Sequence, residues 1–217
     1  MFTDIMAFMP SFYFIIQGAV VTLQLATISV AFGMIIGSIL AIFKTTNSSI
    51  LRLFASGYTS VFRGTPVLVQ LSMIYFLPPL LIGIKLSVFA AGIVTFSLNS
   101  GAYVSEIIRA GINSVDKGQA EAAKALGIPA ILRMKDIILP QAIRNVFPAL
   151  INELINLIKE SALISTLGGS DLMYRATTVS AETYDYFKPI VTAAATYYIL
   201  VMIISTIGKI LEKRLSS

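Results

Sequence analysis

The sequence predicts an all-α integral membrane protein with five transmembrane helices, the N-terminus outside and the C-terminus inside. Of its 217 residues, 56% are hydrophobic and 12% are charged, against about 25% charged in an ordinary soluble domain. The mean hydropathy is +0.84. Several uncharged runs reach the roughly 20 residues that a helix needs to cross the hydrocarbon of a bilayer. Basic residues concentrate in alternate loops, which sets the orientation.

Four of the five spans follow directly from uncharged runs. Those runs are Phe12 to Phe43, Gly64 to Ile84, Leu86 to Ser105 and Pro189 to Gly208. The remaining span, fourth in chain order, is predicted over Asn145 to Ile158. This segment is short and contains Glu153, but the largely apolar stretch from Ser161 to Gly169 lies just beyond it. The first run is longer than a bilayer is thick, so we expect it to tilt or project.

The orientation follows from short loops, whose Lys and Arg residues are held on the cytoplasmic side. The loops after the first and third spans and the C-terminal end are basic, whereas the other connections carry few or balanced charges. The basic residues are Lys44 and Arg52; Arg109, Lys117, Lys124, Arg133, Lys135 and Arg144; and Lys209, Lys213 and Arg214. An odd number of spans with the C-terminus inside satisfies every loop.

Composition excludes several classes of function. The net charge of +5 restates the positive-inside bias and does not indicate a nucleic-acid partner. The sequence contains no Cys, His or Trp. Imidazole-based catalysis and His or Cys metal ligation are therefore excluded, and neither a metal nor another cofactor is expected. No repeat or linker divides the chain, so residues 1–217 are predicted to form a single transmembrane domain.

Two segments between spans carry local turn signals. The Pro78-Pro79 pair is expected to break helix geometry shortly before Lys85, giving a tight external hairpin. The interval from about residue 112 to residue 140 is predicted to form two short cytoplasmic helices. The first covers Lys117 to Leu126 and stops at Gly127, which suits a left-handed turn. The second starts at Pro129 and leads up to Pro140.

The cytoplasmic loop carries a motif that resembles a known family. The matching residues are Glu121-Ala122-Ala123, Gly127, Ile137, Leu139 and Pro140. In type and spacing they resemble the EAA signature of membrane subunits in ATP-binding-cassette (type I) importers. Further blocks are similar to the polar-amino-acid permease family, which includes glutamine, arginine and histidine transport permeases. These blocks are Arg63-Gly64-Thr65-Pro66, Val69-Gln70, Asn99-Ser100-Gly101-Ala102-Tyr103, Glu106-Ile107-Ile108-Arg109 and Lys159-Glu160-Ser161.

The resemblance implies that the loop couples the membrane helices to a cytoplasmic ATPase. Small side chains such as Ala122 and Ala123 let a helix lie close to a partner, and Gly127 lets the chain reverse. The coupling residues implied are Glu121, Ala122, Ala123, Gly127 and Pro140. Glu121 has an equal alternative as the intrahelical partner of neighbouring lysines. The sequence lacks a G-x-x-x-x-G-K-[ST] phosphate loop, so ATP hydrolysis is expected on another chain and this chain is not expected to be an enzyme.

The same resemblance implies a set of partners. They are two cytoplasmic ATP-binding subunits, a second permease copy or a paralogue, an extracytoplasmic amino-acid-binding protein, and a polar or cationic amino acid such as glutamine or arginine. The expected location is the bacterial cytoplasmic (inner) membrane, as a multi-pass protein. The alternative is a self-contained secondary transporter or channel, which usually shows more spans or an internal repeat. An intramembrane Ser-Lys enzyme is a third possibility, but the sequence positions no convincing pair.

Two polar stripes are predicted to line the translocation path. Polar residues at membrane depth are costly and normally face protein or water. In the fourth span the stripe comprises Asn145, Asn152, Glu153, Asn156 and Lys159 or Glu160, and in the third it comprises Thr95, Asn99, Tyr103 and Glu106. Candidate substrate contacts are Asn99, Glu153, Asn152, Asn156, Thr95 and Arg63. The alternative role for Asn99 and Glu153 is hydrogen bonding between helices. Arg63 and Lys159 lie near span ends, where a long basic side chain reaches the interface.

Overall fold

The chain is built from helices throughout the part that the structure describes. The computed structural model describes the backbone of residues 2–216 and the side chains of residues 7–215, so residues 1 and 217 of the predicted domain lie outside it. In chain order the α-helices are α1 Phe2–Thr45, α2 Ser49–Gly64, α3 Val67–Ile82, α4 Val88–Asn113, α5 Lys117–Ala125, α6 Ala130–Leu132, α7 Leu139–Glu160, α8 Leu172–Thr183 and α9 Phe187–Ser216. A π-helix covers Arg133–Ile138 and a 3-10 helix covers Ser161–Leu167.

Three described helices are long and apolar enough to cross a membrane. They are Ala7–Thr45, Val88–Asn113 and Phe187–Leu215. The second predicted span falls on α3, which forms a bent pair with α2, and the pair would provide a fourth crossing if it acts as one span. The fourth predicted span falls on α7, which has 22 residues but is more polar than these helices. Membrane-spanning helices are therefore present, and the count of five stays a prediction.

The longest helix, α1, packs along α4 at the centre of the chain. Glycines bring the two backbones close together. A Cβ added at Gly33 would lie 2.8 Å from the Ser100 Oγ, and one added at Gly37 would lie 2.6 Å from the Val104 Cβ. Such distances are shorter than a van der Waals contact allows, so only glycine fits at these two positions. Gly101 of α4 has the same role from the other side, since a Cβ added there would lie 2.6 Å from the Ile36 Cγ2 of α1.

The pair of helices α2 and α3 turns through 104° at a short break. Thr65 is extended, with φ −118° and ψ 145°, as expected for a residue that precedes a proline. Pro66 then begins α3 without a backbone N–H to give. The bend is therefore a direct result of the Gly64-Thr65-Pro66 sequence.

The expectation that Pro78 and Pro79 break the helix is wrong. Both prolines lie inside α3, which continues to Ile82 and ends at Gly83, a residue with φ 70°. Proline fixes φ near −65°, which is a helical value, so consecutive prolines remove hydrogen bonds without forcing the chain out of the helix. The connection to α4 therefore begins at Gly83, and Ser87 caps α4 by accepting a hydrogen bond from the Ala90 N–H at 3.1 Å.

The first helix of the loop between α4 and α7 agrees with its prediction. It covers Lys117–Ala125, and Gly127 follows in the left-handed conformation with φ 73°. The Gly127 N–H donates to the Lys124 carbonyl, and the Ile128 N–H donates to the Ala123 carbonyl, each at 3.0 Å. These two bonds define a Schellman motif, which closes the helix and reverses the chain.

The second helix of the loop differs from its prediction because it does not end at Pro140. The winding that begins at Ala130 passes through the π-helix and continues into α7 without a break. Pro140 lacks an N–H, and the π-helical segment just before it changes the hydrogen-bond register. The Gln141 side chain donates to the Ile137 carbonyl at 2.7 Å, which supplies a donor in this segment. The predicted second helix therefore corresponds to α6 and the π-helix, which continue into α7.

Candidate translocation surface and coupling loop

The polar stripe of α7 includes side chains that are exposed on the surface of the chain. Asn152, Asn156 and Lys159 are all exposed. Steps of four and three residues place them on one face of the helix. Polar groups at membrane depth normally face protein or water instead of lipid, so this face needs a partner surface or a water-filled path beside it.

A pocket opens at the C-terminal end of this stripe. Asn156, Lys159, Glu160 and Leu163 line a volume of about 320 Å³. An ammonium, a carboxylate and an amide therefore share one small opening. A free α-amino acid carries one carboxylate and one ammonium, which these opposite charges can meet. Glu160 is not among the candidate substrate contacts predicted from the sequence, and Lys159 is predicted to lie at the membrane interface. Both residues belong to the Lys159-Glu160-Ser161 block that resembles the permeases.

Glu153 does not share the exposed face with Asn152. It is only 7% exposed. One residue corresponds to about 100° around a helix, so Glu153 points into the protein where Asn152 points outward. Its carboxyl faces the Ser100 hydroxyl of α4, outside ordinary hydrogen-bonding geometry. The α7 stripe is therefore divided into an exposed line and a buried carboxyl.

The polar stripe of α4 is largely closed by the chain itself. The Thr95 hydroxyl is fully buried and donates to the Ala91 carbonyl of its own helix at 2.7 Å. Asn99 is 4% exposed, and its Nδ2 donates to the Phe62 carbonyl and to the Gln70 Oε1, each at 3.0 Å. These partners match the helix-to-helix role that the sequence leaves open for Asn99. Gln70 is absent from the candidates drawn from the sequence.

Arg63 lies beside the same stripe. Its guanidinium sits 5.5 Å from the centre of the Tyr103 ring, which is a cation–π distance. Asn99 thus faces the bend between α2 and α3, whereas Glu153 faces Ser100. The structure does not bring Asn99 and Glu153 onto one surface, and the substrate role of each stays a prediction.

Glu106, at the end of the α4 stripe, belongs to an ion-pair network. Its carboxylate lies 2.5 Å from the Lys44 Nζ of α1 and 2.7 Å from the Arg109 Nη2. Lys44 also donates to the Thr59 hydroxyl of α2 at 2.9 Å. This network joins α1, α2 and α4 on the side of the chain where α4 leads into the loop. Within the described residues, no group of three or more His, Cys, Asp or Glu side chains is placed to hold a metal ion.

The loop between α4 and α7 presents exposed apolar side chains around its turn. Leu126 is 80% exposed and Ile131 is 81% exposed. Glu121, Ala122, Gly127 and Pro140 are also exposed, whereas Ala123 is buried at 3% exposure. We refer to Leu126, Gly127 and Ile131 together as the loop tip. Sequence reasoning missed Leu126 and Ile131 as surface residues, because an apolar residue in a loop helix is normally assigned to an interior face.

The sequence of the chain matches a known protein family. The family described as "Binding-protein-dependent transport system inner membrane component" matches residues 33–217 of the chain. The chain belongs to this family. Its members are components of the inner membrane, which fits the three long apolar helices. The predicted resemblance to permease subunits of ATP-binding-cassette importers is confirmed, and it is favoured over a self-contained transporter or channel.

Individual proteins are similar to this chain over almost its whole length. The putative glutamine transport system permease protein GlnP of Rickettsia conorii is 62% identical over 215 residues, covering 99% of each chain. The arginine transport system permease protein ArtQ of Bacillus subtilis is 48% identical over 214 residues, covering 99% of this chain and 98% of the relative. The similarity therefore extends over the long apolar helices and the loop between α4 and α7 together.

Chains in two solved transporter structures have the same fold as this chain. A chain in the crystal structure of an amino acid ABC transporter with histidines has a TM-score of 0.91 and 40% identity, covering 99% of this chain and 98% of its own. A chain of the MetNI methionine ABC transporter in an inward-facing conformation has a TM-score of 0.81 and 20% identity, covering 95% and 98%. The second likeness concerns the fold alone.

Proposed function

We propose that this chain is the membrane-spanning permease subunit of an ATP-driven import system for a polar or cationic amino acid such as glutamine or arginine. The observation that carries the proposal is the exposed loop tip, which combines a family-type coupling motif with two large apolar side chains in solvent. The names of the relatives support an amino-acid substrate. In this proposal the chain does not itself hydrolyse ATP.

The loop tip is the proposed contact with a cytoplasmic ATPase. Leu126 and Ile131 each leave about four-fifths of their surface in contact with solvent. Burial of one such side chain contributes about 1.5–3 kcal/mol, so a partner that covers both gains substantial binding free energy. Glu121, Ala122, Gly127 and Pro140 of the same loop are also exposed, whereas Ala123 is buried. In the proposed complex two ATPase subunits bind, one for each permease chain.

The exposed polar line of α7 supports a dimeric pathway. Asn152, Asn156 and Lys159 cannot face lipid without a large cost, so a second permease copy or a paralogue covers them and encloses the path. In this arrangement the chain crosses the membrane five times, with the bent pair α2–α3 and α7 each counted as one span. The N-terminus lies outside and the basic loop and C-terminus lie inside, in the inner membrane of a bacterium.

The proposed substrate contacts lie on α7 and α4. Lys159 and Glu160 would meet the carboxylate and ammonium that all free amino acids share, with Asn156 beside them. Asn152 lies two turns further along the exposed face of α7, where it would meet the side chain of the substrate, and Glu153 would join it by turning its side chain from the interior toward the path. A carboxyl at Glu153 accepts a hydrogen bond from a glutamine amide and also attracts a cationic side chain. Arg63, at the end of α2, completes the set, whereas Thr95 and Asn99 are buried and bonded within the chain. An extracytoplasmic binding protein delivers the substrate.

The test replaces the apolar residues of the loop tip by a charge. Leu126→Asp and Ile131→Asp would each place an unpaired carboxylate in the ATPase contact, which is costly to bury. We expect binding of the cognate ATPase and ATP-driven uptake to fall by about tenfold or more, because about 1.4 kcal/mol corresponds to a factor of ten. Co-purification of the ATPase with the permease and uptake into proteoliposomes measure the two effects.

Tyr184→Asp is the matched control. Tyr184 is 90% exposed in the connection between α8 and α9, remote in sequence from the loop tip, so ATPase binding should remain unchanged. Full ATPase binding and coupled uptake in both loop-tip variants would reject the proposed contact.

A further inference from the structure

The bend between α2 and α3 leaves a backbone carbonyl that its own helix cannot satisfy. In an α-helix the Phe62 carbonyl would accept from the N–H four residues later, but that residue is Pro66, which has none. Two side-chain amides donate to this carbonyl in place of the missing N–H. The Gln70 Nε2 donates to the Phe62 carbonyl at 2.9 Å, and the Asn99 Nδ2 donates to it at 3.0 Å. The carbonyl is therefore satisfied from α3 and from α4 together.

The two amide side chains are also bonded to each other. The Gln70 Oε1 accepts from the Asn99 Nδ2 at 3.0 Å, which closes a triangle with the Phe62 carbonyl. The Gln70 Nε2 also lies 3.1 Å from the Thr65 carbonyl and 2.8 Å from the Thr65 hydroxyl, so its two N–H groups are shared among three acceptors. Both amides are buried, at 7% and 4% exposure. Buried hydrogen bonds of this kind are costly to break without replacement. We call Phe62, Gln70 and Asn99 the bend latch.

Two further contacts tie α2 to α4 on either side of Asn99. The Tyr58 hydroxyl donates to the Leu98 carbonyl at 2.8 Å. The Arg63 guanidinium lies over the Tyr103 ring. The helix that receives these contacts, α4, ends at Asn113 and leads directly into the loop that begins α5 at Lys117. The bend is thus attached to the helix that enters the coupling loop.

We propose that Gln70 and Asn99 are positioning residues for transport, which hold the α2–α3 bend on α4 so that the three helices move as one body. The inference rests on the proposed function, because it takes α4 as the helix that receives movement from the ATPase. Rigid elements joined by buried polar networks transmit movement as discrete shifts. In this role Asn99 acts through the bend and does not touch the substrate.

The experiment uses the complete transporter, reconstituted with its ATPase and binding protein, and radiolabelled glutamine and arginine as probes. Gln70→Ala, Asn99→Ala and the double variant are compared for uptake rate, KM and ATP hydrolysis, each per folded complex. We expect both single variants to lower uptake per ATP by roughly tenfold, the effect of about one lost buried hydrogen bond. KM should stay within about twofold. Uptake per ATP in the double variant should be no lower than in either single variant, because removal of one amide already breaks the hydrogen bond between the two.

Ser72→Ala is the matched control. Its hydroxyl donates to the Leu68 carbonyl of the same helix at 2.9 Å, so the variant loses a hydrogen bond without touching the latch, and uptake per ATP should remain normal. Gln70→Asn, which keeps the amide on a shorter side chain, extends the test if an alanine variant does not fold; it should also lower uptake per ATP.

Two results would overturn the inference. A rise in KM for Asn99→Ala alone would make Asn99 a substrate contact. Normal uptake per ATP in all folded latch variants would reduce the latch to a structural role. Failure of the wild-type complex to couple ATP to uptake would instead reject the proposed function.

Discussion

The polar stripes of α4 and α7 look alike in the sequence but differ in the folded chain. Each places amide and other polar side chains at helical spacing within a predicted span. On α4, Thr95 and Asn99 are buried and bonded within the chain. On α7, Asn152, Asn156 and Lys159 are exposed. The difference shows that helical spacing decides which residues share a face, whereas the packing of other helices decides what covers that face.

The neighbours of the two helices explain this difference. Helix α4 packs against α1, α2, α3 and α7, so most of its surface meets another helix of the same chain. Helix α7 packs against α1, α4 and α9 and leaves its polar face open. We therefore expect substitutions on the α4 stripe to change stability and coupling while leaving KM nearly unchanged, and substitutions on the exposed α7 stripe to change KM.

The largest expected effect comes from Lys159→Met on the open stripe. Loss of a hydrogen bond to a charged group costs about 1.5–3 kcal/mol, so KM for amino-acid uptake should rise by about tenfold or more. The measurement is concentration-dependent uptake into proteoliposomes, with the midpoint of thermal unfolding recorded in parallel. Lys85→Met is the control, because Lys85 is exposed in the connection between α3 and α4. An unchanged KM for Lys159→Met would remove this pocket from the path.

A smaller effect, on stability, is expected for Asn99→Leu on the closed stripe. The variant leaves the Gln70 Oε1 without its buried donor, which costs about 1–3 kcal/mol in free energy of unfolding. Asn152→Leu, the same change on the exposed stripe, should stay within about 0.5 kcal/mol. Thermal unfolding of the detergent-solubilised chain compares the two. Equal losses of stability would show that the α4 stripe is not more tightly bonded within the chain than the α7 stripe.

The smallest expected effect comes from Tyr103→Leu at the edge of the closed stripe. The variant removes the ring under the Arg63 guanidinium, and an exposed cation–π contact contributes about 0.5–1 kcal/mol. Thermal unfolding should show a correspondingly small decrease in the midpoint. Tyr198→Leu provides the control, since Tyr198 is 66% exposed on α9. A loss for Tyr103→Leu above about 2 kcal/mol would mean that Tyr103 does more than support Arg63.

Local signals with a single physical cause were predictable from the sequence. Gly127 stops α5 in a left-handed turn because a residue without a Cβ adopts that conformation freely. The long apolar runs near both ends of the chain form membrane-spanning helices, since exposing so many apolar side chains to water is unfavourable. The EAA-type spacing and its flanking blocks are sufficient to indicate the family.

Signals with two possible outcomes were not predictable. Pro78 and Pro79 continue a helix, and Pro140 lies near the start of one, because proline removes a hydrogen bond while keeping a helical φ. Whether the helix then breaks depends on the hydrogen-bond register and on the packing around it, as the π-helix before Pro140 shows. The burial of Ala123 and the exposure of Leu126 and Ile131 likewise depend on how α5 folds back on the π-helix.

By itself the sequence determined the membrane environment, the Ala-rich helix that ends at Gly127, and the two polar stripes, because composition and helical spacing act along the chain. Only the tertiary structure decided that Asn99 closes on Gln70, that Glu153 turns inward toward Ser100, and that Lys159 and Glu160 share a pocket. The reason is that a side chain's partners come from helices distant in sequence, and their placement depends on the packing of the whole chain.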